Sequence, residues 1–189
     1  RTSSSAASDV YKRQESNIIK MKPGQKFRNA LKNNKPLIIP GTINAYSAKL
    51  AELANHNSIY LSGSGVAAAS YGLPDLGVTT LENVLIDAKR ITSATSLPLL
   101  VDIDTGWGDF DAISNTIIEM GNANVAAVHI EDQIFDKRCG HRPNKQLVSI
   151  DEMQDRLKAA LDAKIDDSFF IMARTCLLYT SDAADDDVR

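Results

Sequence analysis

Residues 97–108 read LPLLVDIDTGWG, and three physical signals meet there. After Pro98 the chain runs apolar, it meets no polar residue until Asp102, and it then breaks into a Gly-rich turn. A short run that is apolar at every position suits a strand covered on both faces, as in a parallel sheet flanked by helices. Asp102 and Asp104 stand where that strand runs out. Residues two apart in an extended chain project to one side, so their carboxylates aim at one place.

The same pattern recurs on either side of this stretch. Apolar segments at 37–43 (LIIPGTI), 58–62 (SIYLS), 125–131 (VAAVHIE) and 169–174 (FFIMAR) are each bounded by Pro, Gly, Asn or Asp and read as strands. Helical spacing fills the gaps at 46–54, 80–95, 110–121 and 150–163. The last of these opens on Ser149-Ile-Asp-Glu152, a capping-box pattern. Regular alternation of strand and helix predicts an α/β fold with parallel strands. Ser62-Gly-Ser-Gly, the Asp102/Asp104 pair, Glu131-Asp132 and Arg174 all fall at the C-terminal ends of expected strands. A β/α barrel collects its catalytic groups at that rim, and a doubly wound sheet offers a similar one, so the alternation leaves both open.

The outer stretches lack this order. Residues 1–16 (RTSSSAASDVYKRQES) are rich in Ser and Ala without hydrophobic period and precede Met21; residues 176–189 (CLLYTSDAADDDVR) break off into the acidic run Asp185, Asp186 and Asp187. Both are expected to be foreign to the fold, which is assigned to residues 17–175.

Composition narrows the function classes. With 43% hydrophobic and 24% charged residues among 189, the chain has globular composition, and a net charge of -3 lacks the basic field of a nucleic-acid or anionic-membrane binder. No apolar run approaches the roughly 20 residues of a bilayer span. Cys139 and Cys176 are the only cysteines and lie far apart, which argues against a disulfide framework or a zinc site. A soluble, cytoplasmic protein acting on a small molecule is the expectation.

The loop KRCGHRPNK, residues 137–145, sets Cys139 beside Lys137, Arg138 and His141, whose charge favours a thiolate able to serve as acid or base near neutral pH. A loop cysteine without a role fits the composition equally. Asp102 and Asp104, with Glu131 and Asp132 on the next strand, offer hard oxygen ligands of the kind Mg²⁺ takes, although an Asp-x-Asp at a strand end also serves as a plain loop start or helix cap. In YLSGSGV, residues 60–66, small side chains let backbone N–H groups approach a ligand carboxylate, and a third glycine of the dinucleotide fingerprint is lacking. The loop at 71–77 (YGLPDLG) brings Asp75 towards the rim. His129 reads as a satisfied core or rim histidine, His56 as a surface residue of a polar turn, and Trp107 as packing. Cys176 is assigned nothing.

Taken in order, GTINA (41–45), YLSGSGVAAASYGLPDLG (60–77), LPLLVDIDTGWG (97–108), HIEDQ (129–133), KRCGHRPNK (137–145) and MART (172–175) resemble the isocitrate lyase and phosphoenolpyruvate mutase superfamily. The KRCGHRPNK form without a long insertion is more similar to its methylisocitrate lyase branch than to isocitrate lyase proper. The resemblance spans residues 21–175 and implies a partial (β/α)8 barrel, about the first five βα units of eight. It implies Mg²⁺, or Mn²⁺, on Asp102 and Asp104, with Glu131 near through water and Asp75 beside the metal. Ser62, Gly63, Ser64, Asp75, Gly140 and Arg174 are then expected to bind substrate. Cys139 is the implied proton donor, accompanied by His141, and Tyr60 lies by the reacting hydroxyl. The implied activity is cleavage of a small tricarboxylate, 2-methylisocitrate, to pyruvate and succinate, in a parent protein that assembles as a homotetramer. Rival readings are another enzyme of the superfamily, such as isocitrate lyase, an oxaloacetate decarboxylase or a phosphonopyruvate-type enzyme, or an inactive dicarboxylate-binding fragment. After MART the sequence departs from the family pattern, and the outer strands of such a partial barrel leave exposed pairing edges.

Overall fold

The computed structural model describes residues 21–135, 137, 139 and 144–176. Its four strands, β1 (Ile59–Leu61), β2 (Leu99–Asp102), β3 (Ala127–Glu131) and β4 (Phe170–Arg174), pair in parallel in the order β1-β2-β3-β4. A doubly wound sheet reverses its strand order at a switch point, whereas consecutive order throughout is that of a barrel wall. The helices are α1 (Pro23–Asn33), α2 (Ala45–Leu53), α3 (Gly63–Tyr71), α4 (Leu81–Ala94), α5 (Phe110–Asn122) and α6 (Ile150–Asp162).

Strand alternation separates two faces. Ile59, Leu61, Leu99, Val101, Val128 and Ile130 join Val84, Ile91, Ile113, Ile117 and Met120 of the helices in the main core. The opposite face is layered by register. Leu100 lies opposite Ala127, which lies opposite Phe170, and this apolar row is closed by Phe27 of α1, whose ring centroid is 5.4 Å from that of Phe170. Two residues further on stand Asp102, His129 and Met172; two beyond those, Glu131 meets Arg174 and donates its N–H to the Asp104 carbonyl.

Helix α1 lies across the N-terminal ends of the strands. Pro23 suits the first helical turn, where a backbone N–H is unpaired in any case. Arg28 Nε donates to the Ser168 carbonyl at 2.9 Å and Lys26 Nζ to the Ser96 carbonyl at 3.0 Å. Gly24 packs so closely on Ser168 that a Cβ there would overlap its backbone.

Four of the expected strands form. The first, at 37–43, does not: it contributes a single bridge, Gly41 to Tyr60, with Thr42 N–H to the Tyr60 carbonyl at 2.7 Å. Pro36 and Pro40 remove two backbone donors from that segment, so it cannot sustain a ladder. The four expected helices appear within a residue of their predicted ends, while α1 and α3 were not expected. Ser149 caps α6 by accepting the Glu152 N–H at 3.1 Å, but the Glu152 carboxylate turns to Arg156 at 2.7 Å. Beyond β4 no further strand pairs among the described residues. No helix there is long and apolar enough to cross a membrane. The terminal stretches 1–16 and 177–189 lie outside the described residues, as do Gly140 and His141. Cys176, set aside on sequence grounds, is described and fully buried.

Candidate active site

The site forms where β1, β2, β3 and β4 end. β2 stops at Asp102, and the chain turns immediately: Asp104 has φ 49° and Trp107 φ 60°, separated by Gly106 at φ 92°. Left-handed backbone at two non-glycine residues is strained, and such strain persists where the surrounding packing holds it. Here it turns the two acids together. Their convergence therefore comes from a tight turn as well as from strand alternation. Trp107 fixes the turn by packing on the helix-side core and donating Nε1–H to the Thr79 carbonyl at 2.8 Å.

Both acids are buried, 6% exposed at Asp102 and 4% at Asp104, and both close on Gly63. A Cβ at Gly63 would stand 3.2 Å from Asp104 Oδ1 and 3.4 Å from Asp102 Oδ2. Gly63 begins α3, so the SGSG segment is a helix N-terminus rather than a loop. Ser62 caps it by accepting the Gly65 N–H, and Ser62 and Ser64 share a hydroxyl contact of 3.0 Å. Such an end presents free N–H groups and a partial positive charge to an anion. The Gly63 N–H already donates to Asp102 Oδ2 at 3.4 Å.

Tyr60 reaches the same carboxylate. Its hydroxyl lies 3.4 Å from Asp102 Oδ2 and 3.0 Å from His129 Nε2, and the two rings stack with centroids 5.6 Å apart. Burial, and then the Asp102 charge, push the Tyr60 hydroxyl above its ordinary range, which keeps its proton in place. Burial lowers the His129 pKa, so the ring is neutral near pH 7, and its Nδ1 has no hydrogen-bond partner, standing 3.6 Å from Asp102 Oδ1. His129 is thus a site residue that sequence reading passed over. Its signal was the polar residue in an otherwise apolar strand, in register with Asp102.

Lys137 was read as one of the charges around Cys139; its role in the structure is larger. Its ammonium is buried between Asp75 Oδ1, at 3.0 Å, and Asp104. Burial disfavours that charge, but Asp104 and Asp75 more than offset it and raise the Lys137 pKa. Cys139 is half-buried. Two residues of extended chain span at most about 7 Å, which bounds the separation of the Lys137 and Cys139 backbones. The structure therefore brings Tyr60, Ser62, Gly63, Ser64, Asp75, Asp102 and Asp104 to one rim, with Cys139 attached through Lys137.

Glu131 faces a different set of partners. It accepts from Gln133 Nε2 at 2.7 Å, lies 3.5 Å from Cys176 Sγ, and stands 3.7 Å from the Arg174 guanidinium. Burial raises its pKa, and burial followed by the Glu131 charge pushes the Cys176 thiol up to about 12, so that thiol is protonated and a donor. Asp132 accepts the Cys176 N–H and the Thr175 hydroxyl, which seats the end of β4 against the site.

The donor set fits a divalent ion. Among the described residues Lys137 pairs with Asp75 and Asp104, Arg174 stands beside Glu131, and His129 is neutral, so Asp75, Asp102, Asp104 and Glu131, when ionised, outnumber the two cations paired with them. Asp104 registers that excess: burial, then the Asp102 charge, raise its pKa to about 7 against the pull of Lys137, and its Oδ1 makes an ion pair but no well-directed hydrogen bond. Among the described residues no three acid, His or Cys side chains converge on one point. Two carboxylates, completed by waters and ligand oxygens, suit Mg²⁺. A cleft of about 650 Å³ at the other end of the sheet, lined by Lys22, Lys26, Glu52 and Pro98, gathers no comparable set.

Comparison with known proteins accords with this geometry. The family model described as phosphoenolpyruvate phosphomutase matches residues 27–189. Over 152 residues the chain is 64% identical to a 2-methylisocitrate lyase of Shewanella oneidensis, covering 80% of this chain and 52% of that protein. A crystal structure of 2,3-dimethylmalate lyase, described as a PEP mutase/isocitrate lyase superfamily member, superposes with TM-score 0.79 at 35% identity, covering 87% of this chain and 56% of that one. Phosphonopyruvate hydrolase in complex with oxalate and Mg²⁺ gives 0.73 at 31% identity, with 89% and 58% covered. The chain spans about half the length of the curated relatives it matches. Strands in barrel order, acids at their C-terminal ends and a family match over most of the sequence lead to one assignment: the chain belongs to the phosphoenolpyruvate phosphomutase family, within the PEP mutase/isocitrate lyase superfamily.

Proposed function

We propose that this chain is the N-terminal part of a Mg²⁺-dependent carbon–carbon lyase that cleaves 2-methylisocitrate to pyruvate and succinate. The observation that carries the reading is the convergence of Asp102 and Asp104 over the N-terminus of α3, with Lys137, two residues from Cys139, paired to Asp104. The names of its most similar relatives support the substrate, and the Mg²⁺ complex of a structural neighbour supports the metal.

Asp102 and Asp104 would hold Mg²⁺, or Mn²⁺, directly, with Glu131 acting through water and Asp75 alongside. When bound, the ion would supply Lewis-acid polarisation of a hydroxyl and its neighbouring carboxylate. Ser62, Gly63 and Ser64 would bind a substrate carboxylate at the helix N-terminus, and Arg174 a second one. Gly140 and His141 join the substrate-binding and catalytic roles through the family resemblance. Tyr60, protonated and hydrogen-bonded to His129, would orient the reacting hydroxyl. The hydroxyl proton would pass to water as the adjacent carbon–carbon bond breaks, its electrons passing to the succinate half while the other half becomes pyruvate. Cys139 would give its proton to the succinate carbon and recover one from water before the next cycle.

A chimera tests this. Residues 21–176 replace the matching segment of the Shewanella oneidensis lyase, and pyruvate release is followed with 2-methylisocitrate, isocitrate and oxaloacetate. The expected result is Mg²⁺-dependent release from 2-methylisocitrate foremost. Cys139→Ser in the chimera should keep metal and substrate binding and lose turnover. Unchanged turnover in that variant refutes the proton-donor role.

A further inference from the structure

We propose that Lys137 is a built-in counter-cation for Asp104, which it occupies in the metal-free chain and releases, keeping Asp75, when a divalent ion binds. The proposal rests on the reading that Asp102 and Asp104 are metal ligands. It adds that the ion enters by exchange with an ammonium already in place.

Three observations lead to it. Lys137 is 7% exposed, and lysines are almost never buried unless paired; both of its partners come from other loops, Asp75 after α3 and Asp104 after β2. Its stem is fitted as closely as its charge, since a Cβ at Gly77 would stand 3.1 Å from Lys137 Cγ. The two carboxylates also differ in depth: the Asp104 side chain is 6% exposed and that of Asp75 is 24%. Asp75 is therefore the solvent-side partner, and an ammonium leaving Asp104 for Asp75 alone moves outward without losing its counter-charge.

The exchange follows from the chemistry of the shared atom. Lys137 pairs with Asp104 Oδ1, the oxygen that also approaches Gly63 beside Asp102 Oδ2. Mg²⁺ and Mn²⁺ prefer an octahedral shell with short oxygen bonds. A divalent ion on Oδ1 would lie a few ångströms from an ammonium on the same oxygen, a like-charge contact that is strongly repulsive in a buried site. The ion gains two carboxylates; the lysine keeps one. Without metal, removal of Lys137 would take from Asp104, buried beside Asp102, the ammonium that pairs with it, which explains the position of an ammonium there.

Two measurements on the 189-residue chain test the proposal. Acetylation of lysines followed by mass spectrometry, with EDTA or with saturating Mn²⁺, should find Lys137 protected without metal and labelled several-fold faster with it. Lys22, 61% exposed, serves as the unchanging internal control. Calorimetric titration should find Mn²⁺ binding roughly tenfold tighter to Lys137→Met than to the wild-type chain, because no resident cation has to be displaced. Equal protection of Lys137 at saturating Mn²⁺ overturns the exchange while leaving the metal site standing, and so does equal affinity in the variant. Failure of both chains to bind Mn²⁺ overturns the exchange together with the metal reading. If Lys137→Met does not fold, the labelling of the wild-type chain decides alone.

Discussion

At one end of the sheet Leu100, Ala127 and Phe170 meet Phe27 with no charge between them; four residues further along the same strands stand Asp104, Glu131 and Arg174. The first end is closed by α1 and apolar, with Arg28 lying over the Phe170 ring. The second is buried almost as deeply yet filled with ionisable groups, among which Asp75, Asp102, Asp104 and Glu131 outnumber the paired cations Lys137 and Arg174. Apolar burial contributes stability in proportion to area, whereas burial of uncompensated charge costs it. The fold is thus held from the α1 end, and the rim gives up stability for a place where a cation and an anionic ligand are both needed.

Substitutions at the two ends should separate these roles. Phe27→Ala removes a fully buried ring from the closed end and should cost about 3–5 kcal/mol, read as a large loss in thermal or denaturant midpoint. A small effect would mean that α1 does not close the sheet. Asp102→Ala at the rim should leave the midpoint of the metal-free chain near its starting value, yet weaken Mn²⁺ binding beyond the roughly 10–100-fold seen for outer-shell partners. Loss of the fold instead would erase the contrast between the ends.

A pH titration sharpens it. Asp104 has a folded-state pKa of about 7, well above the ordinary carboxylate range, so the folded state holds its proton more tightly than the unfolded one. Its contribution favours the fold at low pH and is lost as pH rises from about 4 through about 7. His129, lowered by burial, acts in the opposite sense, costing stability as pH falls below its ordinary value. Asp104→Asn should therefore flatten the alkaline-side loss of stability, measured by urea unfolding without metal between pH 5 and 8. A slope unchanged in the variant would show that Asp104 is not the group responsible. The smallest effect is expected at Ser62, which caps α3 through a long 3.4 Å bond. Ser62→Ala should cost about 0.5–1 kcal/mol.

Much of this division was legible in the sequence. LLVD is apolar until its last residue and AVHIE carries only His129 before its terminal Glu131, so both the strands and their polar tips could be read from the sequence alone. The pairing of Asp102 with Asp104 followed from spacing, though the left-handed turn that completes it did not. What escaped notice has physical reasons. α3 opens Gly-Ser-Gly and continues through alanines, so it has no amphipathic stripe to detect. The segment at 37–43 has strand-like residues but two prolines. Lys137 carries no local signature of its role and His129 only its polarity within an apolar strand, because their partners lie on other strands and loops, far away in sequence. Cys176 was set aside because the pattern breaks there, yet its thiol lies against Glu131.

The claim beneath all of this is that Asp102 and Asp104 grip one divalent ion at the rim. Calorimetric titration of Mn²⁺ into the 189-residue chain and into Asp102→Asn/Asp104→Asn, which keeps side-chain volume and removes both charges, tests it most directly. The account predicts one site in the first and none in the second, with both chains folded by circular dichroism. Equal Mn²⁺ binding by the two would contradict it.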